Sequence, residues 1–101
     1  MKKRGGTTRV DRQADGVYLG GQLNAVTVPG LLPQIDDWLN AKAPMIDLAG
    51  IERSDSSGAA LLLEVARRAR AASAQVLFRN PPSQLRAIIA FCGLEQILAF
   101  A

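Results

Sequence analysis

The apolar positions of this chain fall into short blocks, and the residues that bound each block indicate its structure. Residues 8–12 and 17–21 lie on either side of Ala14-Asp15-Gly16, and the Asp-Gly pair is typical of tight hairpin turns. We therefore predict that the chain opens with two short antiparallel strands.

The next part of the chain predicts an irregular helix followed by a buried strand. Thr27 can cap a helix with Pro29 in its first turn, and Pro33 delays the regular part of that helix. Residues 44–48 are mostly apolar and end before Gly50, as expected for a buried strand. The apolar residues at helical spacing are Leu31, Leu32, Ile35, Trp38 and Leu39.

The second half of the chain predicts a helix, a strand and another helix. The first helix covers residues 56–72, the strand covers 75–79, and the last helix begins after Pro81-Pro82 and ends at Gly93. Residues 94–98 fit either a last helical turn or a short strand. Alternating strands and helices imply parallel crossover connections, so the predicted fold class is α/β, a small mixed sheet covered by helices.

The length of 101 residues suits one domain over 1–101, with residues 1–6 as a flexible tip. Lys2, Lys3 and Arg4 are not followed by the apolar segment of a signal peptide, and no apolar stretch is long enough to cross a bilayer. Cys92 is the only cysteine, which fits a reducing compartment. We expect a cytoplasmic protein without direct membrane insertion.

The charge balance is mildly basic, with a formal net charge of +3. Part of the positive charge clusters at Arg67, Arg68 and Arg70, where it is typical of a solvated helix face. No aromatic residues are interleaved with these arginines, so the sequence does not predict a nucleic-acid partner.

The sequence lacks the residues that most catalytic and metal sites require. It contains no histidine and a single cysteine, which excludes a Ser-His-Asp triad, a Cys-His pair and a thiolate metal cage. No P-loop motif is present either, so we expect no cofactor, no metal and no ATP hydrolysis by the chain itself. A hydrolase that uses Ser56 or Ser57 would lack a base to activate the serine.

The segment Asp55-Ser56-Ser57-Gly58 stands where a predicted strand gives way to a predicted helix. Asp55 or Ser56 can cap the helix by accepting a hydrogen bond from a free backbone N–H. The region beyond the carboxyl end of a strand is also where α/β proteins gather functional residues, and a helix N-terminus accommodates a phosphate. The Ser56 hydroxyl is therefore a candidate phosphate acceptor or partner contact.

The helix after this segment predicts a docking patch for another protein. At 100° per residue Leu61 falls outside the apolar arc, beside the two serines and between Glu64 and Arg68. We predict partner contacts from this side of the helix, at Asp55, Ser56, Ser57, Gly58, Leu61, Glu64 and Arg68. The arc itself, predicted to face the sheet, contains Ala59, Leu62, Leu63, Val65, Ala66 and Ala69.

Three segments together resemble the STAS domain, the fold of bacterial anti-sigma factor antagonists. They are "VYLGGQLN" (17–24), "MIDLAGIERSDSSGAALLLEV" (45–65) and "FCGLEQIL" (91–98), which span nearly the whole chain. Asp-Ser-[Ser/Thr]-Gly is the signature of this family. The resemblance implies that Ser56 corresponds to the residue phosphorylated in the antagonists.

Within the STAS family, "DSSGAALLLEVARRARAA" and "NPPSQLRAIIAFCGLEQIL" are most similar to the MlaB branch, the cytoplasmic subunits of phospholipid-transport ABC systems. This resemblance implies a non-catalytic subunit that binds an MlaF-like ATPase subunit together with its membrane permease. It also implies a location at the inner face of the inner membrane through that partner, with the Ser56 end of the helix facing the ATPase.

One departure concerns the alternative partner, an anti-sigma factor serine kinase. Antagonists carry Gly-Glu-[Leu/Ile]-Asp before the first helix, whereas this chain has Gly21-Gln22-Leu23-Asn24. Neutral amides thus replace both acids, which weakens the interpretation as a kinase-regulated antagonist. That alternative still predicts phosphorylation at Ser56.

Overall fold

The computed structural model describes residues 6–101. The predicted flexible tip lies outside the described residues except for Gly6, which lies against the side chain of Gln22. The elements in chain order are β1 (Thr8–Gln13), β2 (Gly16–Leu23), α1 (Val28–Leu31), α2 (Ile35–Trp38), β3 (Met45–Ser54), α3 (Ser56–Ala71), β4 (Leu77–Arg79) and α4 (Ser83–Phe91).

The four strands form one mixed sheet in the order β1-β2-β3-β4. β1 pairs with β2 antiparallel, while β2 with β3 and β3 with β4 are parallel. The fold class predicted from the sequence is therefore confirmed. The C-terminal segment follows the outer edge of β4, where the Phe78 N–H donates to the Ala99 carbonyl (2.9 Å) and the Ala101 N–H donates to that of Phe78 (2.8 Å).

β3 is twice as long as the strand that the sequence predicts over residues 44–48, because Gly50 does not end it. A side-chain carbon at Gly50 would lie 2.3 Å from the hydroxyl oxygen of Tyr18 on β2. The glycine makes room for this phenol on the face of the sheet opposite the core. Beyond it, Ile51 pairs with Gly21 of β2, and after a further register shift Ser54 pairs with Leu23.

The irregular helix between β2 and β3 consists of three short pieces. A 3₁₀ turn at Leu32–Gln34 contains Pro33 and separates α1 from α2. Thr27 does not cap α1, because its hydroxyl donates to the Gln22 carbonyl (2.8 Å) inside the loop. The Asn24 side chain instead accepts bonds from the backbone N–H groups of Val26 (2.9 Å) and Thr27 (3.1 Å).

The core lies between one face of the sheet and the helices. Its largest fully buried side chains include Trp38 and Phe78, joined by apolar residues from β2, β3, α3 and α4. Burial of this continuous cluster is the main favourable contribution to folding.

The buried face of α3 differs from the prediction at two leucines. Leu61, predicted to face solvent, is only 1% exposed, whereas Leu63, predicted to face the sheet, is 39% exposed. The neighbouring helices explain the difference, because α1 and α2 pack against α3 on the flank that carries Leu61 and Arg68. The prediction that Leu61 lies outside the core is therefore wrong, and its buried side chain leaves no surface there for a partner.

Candidate functional site

The candidate site is the corner where β3 ends and α3 begins. Asp55 has an extended backbone, and its carboxylate accepts a hydrogen bond from the Ser57 N–H at 2.7 Å. Asp55 is therefore the N-cap, one of the two alternatives open from the sequence. Its own N–H donates to the Leu23 carbonyl at 3.1 Å, which joins this corner to the end of β2.

Ser56 is the first residue of α3, and its side chain is exposed. The hydroxyl makes no hydrogen bond to any of residues 6–101, and it stands at the positive end of a 16-residue helix. Ser57 is half-buried beside it. Of the two serines, Ser56 offers the more accessible hydroxyl to a partner or a phosphoryl group.

Gly58 is buried and serves the packing of the corner. A side-chain carbon here would lie 2.0 Å from the Ser54 hydroxyl oxygen and 3.0 Å from Cβ of Leu23. Only a glycine lets α3 begin this close to β2 and β3. Gly58 therefore presents no surface for the partner contact that the sequence suggested.

The first turn of α4 also holds this corner in place. The side-chain amide of Gln84 accepts a bond from the Ser54 N–H (2.8 Å) and donates one to the Ser54 carbonyl (2.7 Å). β4 ends at Arg79, which pairs with Asp47, and so does not reach Ser54. Gln84 therefore makes the hydrogen bonds to Ser54 that a neighbouring strand would make. Sequence reasoning missed Gln84, because nothing local marks a contact across 30 residues.

The segment that departs from the antagonist pattern lies directly beside the helix start. Gln22 and Asn24 line a shallow depression of about 220 Å³ that adjoins Asp55. Neutral amides therefore stand beside the N-cap residue of α3. The lining residues are Gln22, Leu23, Asn24, Arg53, Ser54 and Asp55.

From Ser56 onward, one side of α3 remains open to solvent. Residues four, seven and eleven positions after Ser56 share its side of the helix. They are all exposed, and together with Ser56 they form what we call the docking surface: Ser56, Ala60, Leu63 and Arg67. Leu63 is the large apolar side chain of this surface, a position that the helical wheel assigned to the core.

Glu64 and Arg68, two further predicted contacts, are engaged within the protein. Glu64 accepts hydrogen bonds from Arg67 and from Arg68, and the shortest bond from each arginine measures 2.7 Å. These bonds lower the pKa of Glu64 to about 2. Nη1 of Arg68 also donates to the Leu32 carbonyl (3.0 Å) and lies 3.6 Å from Oδ1 of Asp36. Arg68 thus ties α3 to the helical segment before it.

Two further findings concern the part of the chain that the structure describes. No group of three or more potential metal-ligating residues is present among residues 6–101. None of the described helices is long and apolar enough to cross a membrane.

Comparison with known proteins agrees with the resemblance seen in the sequence. The family model described as "Mlab, STAS domain" matches residues 7–99. No curated protein sequence matches this chain.

The fold is similar to solved structures of anti-sigma factor antagonists. Unphosphorylated SpoIIAA superposes with a TM-score of 0.71 at 20% identity, covering 93% of this chain and 87% of that one. Phosphorylated SpoIIAA from Bacillus gives 0.66 at 20% identity, covering 93% and 90%. A serine-to-glutamate variant of RsbS from Moorella thermoacetica gives 0.62 at 17% identity, covering 91% and 85%.

Proposed function

Because the chain belongs to the STAS-domain family whose model bears the MlaB description, we propose that it is the STAS subunit of a phospholipid-transport ABC system. STAS domains are a non-catalytic protein-interaction fold, and their partners include kinase-type and ATPase-type proteins. In this proposal the chain binds the ATPase subunit, and through it the permease, at the inner face of the inner membrane. The complex maintains the lipid asymmetry of the outer membrane.

The docking surface is the observation that carries the proposal. Ser56, Ala60, Leu63 and Arg67 expose a hydroxyl, apolar carbon and a guanidinium paired with Glu64 on one side of the longest helix. This composition suits a protein partner, because an apolar contact surrounded by polar groups is the usual anatomy of an interface. Glu64 and Arg68 lie beside the docking surface and are hydrogen-bonded within the protein. In this proposal they hold α3 in place and do not contact the partner.

Affinity purification from membranes tests the proposal. We expect the tagged chain to recover an ABC ATPase subunit and its permease, both encoded near its own gene. Ser56→Glu places a charge inside the contact, so it reduces this recovery, whereas Ser56→Ala preserves it. Recovery of neither subunit with the wild-type chain would refute the assignment.

A second candidate, an anti-sigma factor antagonist switched by phosphorylation, is favoured by the accessible Ser56 hydroxyl at the start of α3. A phosphoryl group there gains from the helix dipole but repels partners that carry acids. Incubation with a cognate serine kinase and ATP would add one phosphate to the wild-type chain and none to Ser56→Ala. An unchanged mass with every serine kinase of the host would exclude this candidate.

A further inference from the structure

β1 carries the open edge of the sheet. One side of this six-residue strand pairs with β2, and no strand among residues 6–101 pairs with its other side. The opposite edge of the sheet, at β4, is covered by the C-terminal segment. An uncovered edge offers backbone N–H and C=O groups to another strand.

The register with β2 defines which backbone groups point outward. The Gln22 N–H donates to the Thr7 carbonyl at 2.8 Å, so residues 7 and 22 form a hydrogen-bonded pair. Bonded and non-bonded pairs alternate along an antiparallel ladder. The outward backbone groups of β1 therefore belong to Thr8, Val10 and Arg12.

The exposed side chains of the same strand carry opposite charges two residues apart. Arg9 and Asp11 share one face of β1, opposite Gly20 and Tyr18 of β2. Neither makes an ion pair with another described residue. Arg12, on the other face, is already paired with Asp37 of α2.

We propose that two copies of this chain associate antiparallel along β1, with Val10 of each copy on the two-fold axis. In this register the outward groups of Thr8 meet those of Arg12 in the second copy. Arg9 of each copy lies opposite Asp11 of the other, as a non-hydrogen-bonded pair whose side chains are closest. The interface thus contains two identical ion pairs, as two-fold symmetry requires.

The charges select this register over its neighbours. A pairing centred on residue 9 places Arg9 opposite itself, and one centred on residue 11 places Asp11 opposite itself. Like charges directly opposite each other destabilise a strand pair. The contact is short and polar, so the association is weak and depends on concentration. β1 lies two strands from β3, and the docking surface on α3 stays accessible in both copies.

Sedimentation equilibrium of the full chain tests the proposal between about 10 µM and 1 mM at low salt. We expect a dimer whose population rises with concentration. Arg9→Asp and Asp11→Arg should each weaken self-association about tenfold or more, because both cross-strand pairs then join like charges. The double variant Arg9→Asp/Asp11→Arg restores opposite charges and should regain the dimer.

Arg70→Asp is the matched control, since it changes the net charge by the same amount at an exposed arginine of α3. It should self-associate as the wild type does. A monomer at every concentration would overturn the proposal and leave the edge to a strand from another protein. Single variants that associate normally, a double variant that stays as weak as the single ones, or an equal loss in Arg70→Asp would overturn it as well.

Discussion

At the residue scale, two leucines of α3 show what the helical period does and does not determine. The period predicts an apolar arc, and Leu62, Val65 and Ala69 are buried as predicted. It does not tell which flank of that arc a neighbouring helix covers. Arg68 reaches the Leu32 carbonyl, so α1 and α2 cover the flank of Leu61 and leave Leu63 in solvent.

Truncating these two leucines should therefore have very different costs. Leu61→Ala removes buried carbon and leaves a cavity, so we expect it to lower the free energy of unfolding by about 2 to 4 kcal/mol. Leu63→Ala should lower it by less than about 1 kcal/mol, as is usual at the surface. Urea unfolding followed by the fluorescence of Trp38, the only tryptophan, measures both. Equal losses would contradict the assignment of the buried face.

Gly58 gives a second test at this scale. Gly58→Ala forces its new carbon against Ser54 and Leu23, so we expect a loss of about 1 to 3 kcal/mol in the free energy of unfolding. Gly30→Ala in α1 is the control, because nothing lies within 4 Å of the added carbon there. The control should leave stability unchanged or raise it slightly. A Gly58→Ala protein as stable as the wild type would show that the corner accommodates a side-chain carbon at this position.

At the element scale, the sequence predicts the helices and strands better than their ends. The hairpin, the long helix and the last helix lie within two residues of their predicted bounds. β3 was predicted too short because a glycine ends a strand by propensity, whereas Gly50 accommodates Tyr18 from another strand. β4 begins at Leu77 rather than at residue 75, because its pairing partner on β3 begins at Met45.

The Glu64 cluster makes the stability of α3 depend on pH. Hydrogen bonds from Arg67 and Arg68 lower the pKa of Glu64 from 4.5 to about 2, so the folded protein favours the carboxylate more than the unfolded chain does. This contribution is present above about pH 4.5 and disappears as the pH falls towards 2. Glu64→Gln should therefore be less stable than the wild type at neutral pH. This difference in the free energy of unfolding should disappear at acid pH.

Urea midpoints measured at several pH values between about 7 and 2 would test this linkage. Glu52→Gln is the control, because Glu52 is exposed and forms no ion pair with the described residues. The difference in stability between Glu52→Gln and the wild type should show no comparable change with pH. A stability difference between Glu64→Gln and the wild type that stays constant over the whole pH range would contradict a role for the carboxylate charge.

At the scale of the whole molecule, the fold and the family were predictable, but the arrangement of the site was not. Alternating strands and helices predict the mixed sheet, and the Asp55–Gly58 signature predicts the family, both of which are confirmed. The site depends on contacts between distant segments, such as Gln84 with Ser54 and Arg68 with Leu32. No local pattern encodes these contacts, so the predicted patch included two residues that are buried.

The whole molecule also separates two surfaces of different kinds. The docking surface follows the outer side of α3 from the carboxyl end of β3, while the charged edge of β1 lies two strands away. A partner at one surface leaves the other accessible. Variants at Leu63 and at Arg9 therefore report on different contacts.

The most direct test of the docking surface is the affinity of the purified chain for its ATPase subunit, measured by isothermal titration calorimetry. We expect Leu63→Asp to weaken binding about tenfold or more, since it places a charge in the contact while the fold stays intact. Phe91→Asp on α4 makes the same kind of change at a side chain that is 91% exposed, and it should bind within about twofold of the wild type. Wild-type affinity in Leu63→Asp, or an equal loss in Phe91→Asp, would contradict a docking surface on α3.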